Sequence, residues 1–239
     1  MRVAVITGGS RGIGRAFVVE AARRGYAVVF SFHSRHEDAE ETVSAASVQD
    51  RPVTAIQGDL TESVTRERLI DAARDRGDVS LLVNNAGLTL SGSLEALELS
   101  TWNYGIALNL TAPMALSQAL AADLTAHRGA IVNIASTGGI IGSVHSLVYG
   151  ASKAGMIGLT KTLARMLAPH VRVNSLCPGP IDTELLGGVT DAQLAGILDG
   201  TPLARLGRPE EIACAGMDLS EWEYCTGQTI VVDGGRVMV

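Results

Sequence analysis

Short apolar runs alternate with longer stretches of helical periodicity along the whole chain. The runs are rich in Val, Ile and Leu and contain few polar residues, which is typical of strands that are buried on both faces of a parallel sheet. They predict seven strands, at Val3–Ile6, Val28–Phe30, Val53–Ile56, Leu81–Val83, Ile131–Ile134, Val171–Asn174 and Thr229–Val232.

The stretches between the runs place apolar residues three and four positions apart, which predicts helices. The first carries Ile13, Ala16, Phe17 and Ala21 on one face, and the others span Glu37–Val48, Glu62–Arg76, Thr101–Ala126, Leu147–Ala168 and Pro209–Leu219. Helical crossovers between parallel strands cover both faces of a sheet. No Pro/Ser-rich linker divides the 239 residues. We therefore expect an α/β fold, with residues 1–239 as a single doubly wound Rossmann domain around a seven-stranded parallel sheet.

Composition narrows the possible functions. The chain is 46% hydrophobic and carries a formal net charge of −6, so it can build a large core and offers no basic footprint for nucleic acid. Its three cysteines have no metal-ligand spacing, which fits a reducing compartment, and no apolar run is long enough to span a bilayer. No apolar leader precedes the first strand. We expect a cytoplasmic protein with no metal, nucleic-acid or membrane partner.

A glycine-rich turn joins the first strand to the first helix. Glycines let the backbone approach a pyrophosphate closely, and the helix N-terminus supplies unpaired N–H groups. A turn of this kind can be merely structural, but here it has the strand before it and the helix after it that a dinucleotide site requires. The candidate cofactor-binding residues of the turn are Gly8, Ser10, Arg11, Gly12, Ile13 and Gly14.

The end of the second strand indicates which dinucleotide binds. An NAD site normally has an Asp or Glu there for the ribose 2′-hydroxyl. This chain has Ser31-Phe32-His33-Ser34-Arg35 and no carboxylate before Glu37, while Arg11 adds a cation within the turn. Arginine suits a phosphate, so NADP(H) is favoured over NAD(H), with His33 and Ser34 beside the ribose. For Arg35, the alternative that it only faces solvent stays open.

Further motifs follow in order along the chain. They are Thr7-Gly8-x-x-x-Gly12-x-Gly14, Gly58-Asp59-Leu60, Asn84-Asn85-Ala86-Gly87, Asn109, Ser136 with Tyr149-x-x-x-Lys153, Pro178-Gly179 with Thr183, Gly207-Arg208-Pro209-Glu210-Glu211, and Thr226-Gly227-Gln228 through Asp233-Gly234-Gly235. In these residues the chain resembles the short-chain dehydrogenase/reductase family almost from end to end. Within that family it looks most like the 3-oxoacyl-[acyl-carrier-protein] reductases.

The resemblance implies roles for particular residues. The adenine would contact Asp59 and Leu60, and Lys153 would hold the nicotinamide ribose. The catalytic set would be Asn109, Ser136, Tyr149 and Lys153. The rest of the implied cofactor site is Asn85, Ala86, Gly87, Tyr149, Pro178, Gly179, Ile181 and Thr183. Two alternatives stay open, because Asp59 is also placed to be a turn or N-cap residue and Asn109 to be an ordinary polar helix residue.

The catalytic set predicts a chemistry. Tyr149 and Lys153 are four residues apart on one helix face, and a nearby ammonium should lower the pKa of the phenol from about 10. Tyr149 would then give a proton to a carbonyl oxygen that Ser136 also hydrogen-bonds, while Asn109 would order a water that resupplies protons. A Tyr and a Lys with this spacing, found without other motifs, usually lie on a helix surface. Here Ser136 directly follows a buried strand, which favours a catalytic role for the pair.

The substrate is less sharply indicated. The segment from Thr183 to Leu206 predicts a short apolar lid that carries Leu185, Leu186, Leu194, Ile197 and Leu198, with Gly187, Gly188 and Gly200 as hinges. Ordinary helix packing is the alternative. His145 is expected to border the substrate pocket.

We expect NADPH-dependent reduction of a ketone to a secondary alcohol, with a 3-oxoacyl thioester carried on acyl carrier protein or coenzyme A as one substrate. Arg128 and Arg172 keep carrier docking open, although Ser146 stands where those reductases often have Gln. The alternatives are a secondary-alcohol dehydrogenase for a sugar, steroid or biosynthetic intermediate, and a non-catalytic cofactor-binding sensor. The family resemblance implies a homotetramer or homodimer.

Overall fold

A seven-stranded parallel sheet forms the centre of the part of the chain that the computed structural model describes, residues 1–47, 51–143, 146–186 and 190–238. The strands lie in the order β3-β2-β1-β4-β5-β6-β7. Their bounds are β1 Arg2–Ile6, β2 Ala27–Phe32, β3 Val53–Gln57, β4 Asp78–Asn84, β5 Ala130–Ile134, β6 Arg172–Pro178 and β7 Thr229–Val232. The predicted doubly wound Rossmann fold is confirmed.

Helices connect the strands. Their bounds are α1 Gly12–Arg23, α2 His36–Ala46, α3 Ser63–Arg74, α4 Leu99–Ile106, α5 Ala112–Ala119, α6 Ala121–Ala126, α7 Gly138–Ile141, α8 Leu147–Leu167, α9 Asp191–Asp199 and α10 Pro209–Glu221. Val48, the predicted end of the second helix, lies outside the described residues. Within the described ranges, no helix combines the length and the apolarity needed to cross a membrane.

Neighbouring residues of each strand point to opposite sides of the sheet and build two cores. Along β1, Ala4 and Ile6 pack in one core with α1, α2 and α10, whereas Val3 and Val5 pack in the other with α3, α5 and α8. All four of these side chains are fully buried. This double burial explains why β1 is an uninterrupted apolar run from Val3 to Ile6.

The predicted helix over Thr101–Ala126 is wrong as a single element. It consists of α4, a π-helical turn at Ala107–Thr111, α5 and α6. Pro113 has no N–H to donate to the carbonyl of Asn109, and its ring crowds that turn, so the regular i to i−4 pattern cannot continue. The N–H of Ala112 instead reaches back five residues to the carbonyl of Ala107.

A chain of buried amides and hydroxyls ties the sheet to its helices. Asn84 Nδ2 donates to Asn133 Oδ1 at 2.8 Å, and Asn133 Nδ2 donates to Thr160 Oγ1 in α8 at 2.9 Å. Ser117 Oγ in α5 lies 3.5 Å from Asn84 Nδ2. The four residues are at most 2% exposed. This polar ladder links α5, β4, β5 and α8 at defined positions.

The predicted lid contains a 3₁₀ turn at Glu184–Leu186 and helix α9. None of the residues in α9 is fully buried, whereas Ile212, Ala213 and Met217 of α10 are. Helix α9 therefore packs lightly over the rest of the molecule. The side chain of Leu185 and the predicted hinges Gly187 and Gly188 lie outside the described residues, as does His145. The lid role stays a prediction.

Candidate active site

The strand order reverses between β1 and β4, so a crevice opens at the carboxyl ends of these two strands. The glycine-rich turn crosses it between Ile6 and the start of α1. Gly8 and Gly12 have φ values of +69° and +52°, in the region that favours glycine. A Cβ on Gly14 would lie 1.9 Å from the carbonyl oxygen of Gly8. The turn can fold this tightly only with glycine at position 14.

The fourth strand holds the turn in place. Thr7 Oγ1 accepts the backbone N–H groups of Asn85 and Ala86, each at 2.9 Å. Asn85 Nδ2 donates to the carbonyls of Thr7 and Gly8 at 2.9 and 3.2 Å. Ser31 Oγ accepts from the N–H of Gly8 at 3.2 Å. The ends of β1, β2 and β4 are therefore joined into one rigid rim.

A single cleft of about 1590 Å³ runs along this rim, and its lining includes every predicted cofactor-binding residue. Two features fit a dinucleotide. The first turn of α1, which opens onto the cleft, contains no carboxylate that would repel a pyrophosphate. The glycines of the turn leave the backbone open to close approach. The predicted set that lines the cleft is Gly8, Ser10, Arg11, Gly12, Ile13, Gly14, His33, Ser34, Asp59, Leu60, Asn85, Ala86, Gly87, Tyr149, Lys153, Pro178, Gly179, Ile181 and Thr183.

Asp59 is fixed at one end of the cleft. Its Oδ1 accepts the N–H of Thr61 at 2.8 Å, and its Oδ2 accepts the hydroxyl of Tyr104 at 3.1 Å. Partial burial disfavours the charged carboxylate, but these hydrogen bonds outweigh it and hold the pKa of Asp59 below its usual value. Asp59 is thus a turn residue that also faces the cleft, and Tyr104 is a neighbour that the sequence did not indicate.

Ser136, Tyr149 and Lys153 line the same cleft. Ser136 follows β5, and its hydroxyl accepts the N–H of Gly138 at 3.0 Å. Helix α8 begins beside it because Ser146 accepts the N–H of Tyr149 at 3.1 Å and donates to the carbonyl of Leu90 at 2.7 Å. The predicted catalytic trio is therefore brought to one place by β5 and the first two turns of α8.

The expected electrostatic effect of Lys153 on Tyr149 is not what the structure shows. Burial raises the pKa of Tyr149, and the nearby hydroxyl of Ser136 only partly opposes this. Lys153 Nζ lies 5.6 Å from the centre of the phenol ring and donates to the carbonyl of Ile134 at 2.6 Å. Burial also lowers the pKa of Lys153 to about 8. The prediction considered the charge of the lysine but not the desolvation of both groups.

Asn109 stands behind the trio rather than in the cleft lining. It lies in the π-helical turn and is fully buried. Its Nδ2 donates to the carbonyl of Leu88 and to Ser152 Oγ, both at 3.0 Å, and its Oδ1 accepts the N–H of Leu88. These contacts fix the segment after β4 against α8. A link from Asn109 to a proton-carrying water stays a prediction.

The sequence analysis did not single out Glu184 and Arg236, two of the charged residues that line the cleft. Glu184 pairs with both Arg11 and Arg35, which approach it from different loops. Arg236 donates to the carbonyl of Ile197 at 2.8 Å, beneath α9. Neither contact has a local sequence signal, because the partners are far apart in the chain. Within the described ranges, no three His, Cys, Asp or Glu side chains are grouped as metal ligands.

Comparisons with known proteins agree with this geometry. The model of the family described as short chain dehydrogenase matches residues 2–194. The 3-oxoacyl-[acyl-carrier-protein] reductase of Escherichia coli is 36% identical, over 100% of this chain and 98% of the relative. The reductase of the same name from Synechocystis is also 36% identical, over 99% and 97%.

Solved structures with the same fold include a blue fluorescent protein from a metagenomic library in complex with NADPH. It has a TM-score of 0.93 and 32% identity, and the alignment covers 99% of this chain and 98% of that one. A double mutant of a Serratia marcescens short-chain dehydrogenase/reductase has a TM-score of 0.90 and 32% identity, with 98% and 97% covered.

Proposed function

This chain belongs to the short-chain dehydrogenase family of NAD(P)-dependent oxidoreductases, and from that premise we propose that it reduces a ketone to a secondary alcohol with NADPH. The observation that carries the proposal is the convergence of Ser136, Tyr149 and Lys153 in the cleft that the glycine-rich turn also lines. The bound cofactor would supply the hydride, and the protein would supply orientation and the proton.

We assign the proton to Tyr149. Its raised pKa keeps the phenol protonated at neutral pH, so it is ready to donate to a carbonyl oxygen. Ser136 would donate a second hydrogen bond to the same oxygen and stabilise its developing charge. When Tyr149 gives up its proton, the cation of Lys153 would stabilise the phenolate that is left. Asn109, through Ser152 and Leu88, would hold α8 at the distance that this transfer needs.

The cofactor would lie along the rim of the cleft. The turn from Gly8 to Gly14 and the N-terminus of α1 would bind the pyrophosphate, and Asp59 with Leu60 the adenine. Asn85, Ala86, Gly87 and Lys153 would face the ribose and nicotinamide, and residues from Pro178 to Thr183 would cover them. Arg11 in the turn and Arg35 after β2 line the cleft where a 2′-phosphate would lie, which is why we propose NADPH rather than NADH.

We propose a 3-oxoacyl thioester as the substrate class. Two relatives that match nearly the whole chain are named as 3-oxoacyl-[acyl-carrier-protein] reductases, and the cleft is bordered by apolar residues of the lid such as Leu186 and Ile197. Docking of the carrier stays a prediction. Arg128 and Arg172 adjoin the amino ends of β5 and β6, opposite to the cleft of the same chain. Cytoplasmic location and a homotetramer or homodimer also stay predictions.

Turnover on a matched substrate panel tests the proposal. We expect NADPH oxidation at 340 nm to be fastest with 3-oxoacyl thioesters of coenzyme A or acyl carrier protein, and slower by at least about tenfold with simple ketones that lack the thioester arm. Turnover of simple ketones without turnover of any thioester would refute the 3-oxoacyl thioester as the substrate class. Turnover of alcohols alone would favour the dehydrogenase alternative, and cofactor binding without turnover on any compound would favour the sensor.

The buried lysine predicts a pH dependence. Because the pKa of Lys153 is lowered to about 8 while the pKa of Tyr149 is raised, Lys153 should lose its proton first as the pH rises. We expect kcat/KM for reduction to be constant below about pH 7 and to fall through a midpoint near pH 8. The chain has only two lysines, Lys153 and Lys161, so NMR of lysine-labelled protein should show one signal that titrates with the activity.

Lys161→Met is the matched control, because Lys161 lies two turns further along α8 and is exposed. This variant should keep the midpoint near pH 8 and lose only the other NMR signal. Lys153→Met should lose the signal with the low midpoint. A Lys153 signal that titrates at its ordinary value, near 10.4, would contradict the predicted pH profile.

A further inference from the structure

A carboxylate from the 3₁₀ turn of the predicted lid, Glu184, lies between two arginines that line the cleft, Arg11 and Arg35. Arg35 Nη1 donates to Glu184 Oε1 at 3.0 Å, and Arg35 Nη2 lies 2.8 Å from Glu184 Oε2. Arg11 Nη1 donates to the same Oε2. One carboxylate thus pairs with a cation from the turn after β1 and with a cation that follows β2. The three side chains are each about half exposed, at 52%, 50% and 56%, and all three residues line the cleft.

This arrangement depends on the tertiary fold. Glu184 lies 173 residues beyond Arg11 and 149 beyond Arg35 in the chain. It belongs to the 3₁₀ turn that opens the lid, directly after Thr183, and Thr183 packs against Gly12, where an added Cβ would come within 3.2 Å of its Cγ2. The base of the lid is therefore seated on the glycine-rich turn, with its carboxylate aimed at the two arginines.

The charges at this point already balance. Arg35 also pairs with Asp38 at 3.2 Å, and Arg15 pairs with Asp38 and Glu41, so three guanidinium groups face three carboxylates. Asp38 is held by its own helix, three residues from Arg35, is also approached by Arg15 and is only 23% exposed, whereas Glu184 is 56% exposed and pairs with no other cation among the described residues. A phosphate that approaches the two arginines paired with Glu184 would repel both Glu184 and Asp38. Of the two, Glu184 is the one that can be displaced.

We propose that Glu184 is a specificity-determining residue that competes with the 2′-phosphate of NADP(H) for Arg11 and Arg35. This inference rests on the proposed use of NADPH. A cofactor without the 2′-phosphate leaves the carboxylate with its two partners, whereas one with the phosphate must displace it first. The two arginines favour NADPH over NADH. Glu184 makes this preference smaller, because its carboxylate interacts unfavourably with the 2′-phosphate that only NADPH carries.

Two nucleotides that differ only in the 2′-phosphate isolate this effect. Adenosine 2′,5′-bisphosphate and adenosine 5′-monophosphate lack the nicotinamide, so contacts made there by Thr183 do not enter the comparison. We expect Glu184→Gln to lower the dissociation constant of the bisphosphate about fivefold, the range of an exposed charge interaction, and to change that of the monophosphate less than twofold. Isothermal titration calorimetry at low and high salt measures both, and salt should reduce the difference.

The controls separate competition between Glu184 and the 2′-phosphate from the general effect of removing one negative charge near the cleft. Glu210→Gln removes the same charge from another exposed position along the cleft, where the described residues give Glu210 no ion pair, and it should change neither constant more than twofold. Arg11→Ala should weaken the bisphosphate at least about fivefold and spare the monophosphate. Glu184→Gln should gain less in the Arg11→Ala background than in the wild type, because one of the contested partners is gone.

Each result decides something. A Glu184→Gln variant whose bisphosphate affinity is unchanged or weaker overturns the competition, while a wild type that still prefers the bisphosphate leaves the proposed NADPH use intact. A wild type that binds both nucleotides equally overturns the NADPH proposal and this inference together. Loss of ketone reduction by itself would bear on the catalytic trio and not on Glu184.

Discussion

Replacing Tyr149 by Phe is expected to lower kcat for ketone reduction by at least about 1000-fold, within the range that general acid catalysis contributes. The substitution removes the hydroxyl that donates the proton and keeps a ring of nearly the same volume. Ser136 would still hydrogen-bond the carbonyl oxygen, but its alcohol is a poor acid and cannot take over the transfer. The measurement is single-turnover oxidation of NADPH with the best ketone of the panel.

Tyr26→Phe is the matched control for this experiment. Tyr26 is also a buried tyrosine, but its hydroxyl contacts Arg2, at the amino ends of the strands. This variant should retain activity within about twofold, since most substitutions away from a site have small effects. The Tyr149→Phe protein should bind NADPH and unfold thermally as the wild type does. If it still turned over within tenfold of the wild type, Tyr149 would not be the proton donor.

Gly14→Ala is expected to weaken both cofactor binding and the fold. Its Cβ would lie 1.9 Å from the carbonyl oxygen of Gly8 and 2.6 Å from Asn85 Nδ2, so the turn itself must shift. We expect the dissociation constant for NADPH to rise at least 100-fold, and the free energy of unfolding to fall by about 3 kcal/mol, the upper range for overpacking. Fluorescence titration and denaturant unfolding measure the two effects.

Gly158→Ala provides the contrast. Gly158 lies in α8 with open space around the position of a Cβ. Alanine there should leave NADPH binding unchanged and stabilise the protein by as much as about 1 kcal/mol, through its higher helix propensity. Equal behaviour of the two alanine variants would mean that the close packing at Gly14 does not limit either binding or folding.

The strands were predictable because a strand that is buried on both faces appears in the sequence as a short run of mostly apolar residues. The side chains of Val3 through Ile6 are all enclosed, so β1 is a continuous apolar run in the sequence. The long helix before β5 was predicted as one piece because its apolar periodicity hides the break. Pro113 was visible in the sequence, but its effect is a π-helical turn that a 3.6-residue pattern does not describe.

The residues of the candidate site were predictable from the sequence, whereas their pKa shifts and ion pairs were not. Motif spacing indicated Ser136, Tyr149 and Lys153, and all three line one cleft. The pKa of Tyr149 depends on how deeply the phenol is buried, which no short motif records. The same holds for Glu184, whose partners come from two distant loops.

The polar ladder has a consequence for how accurately the phenol and the amine are aimed. Thr160 lies seven residues, about 10 Å, beyond Lys153 along α8, and it accepts from Asn133 of the sheet. If α8 moved along its axis by one residue, the side-chain amide of Asn133 would lose its hydrogen bond to Thr160 while it stayed buried. A buried polar group without a partner costs about 1–3 kcal/mol. Apolar contacts alone tolerate such slippage far better. The hydrogen bond between Asn133 and Thr160 thus fixes the axial position of α8. Redesign of the cleft lining for other ketones should succeed most readily in variants that keep this hydrogen bond.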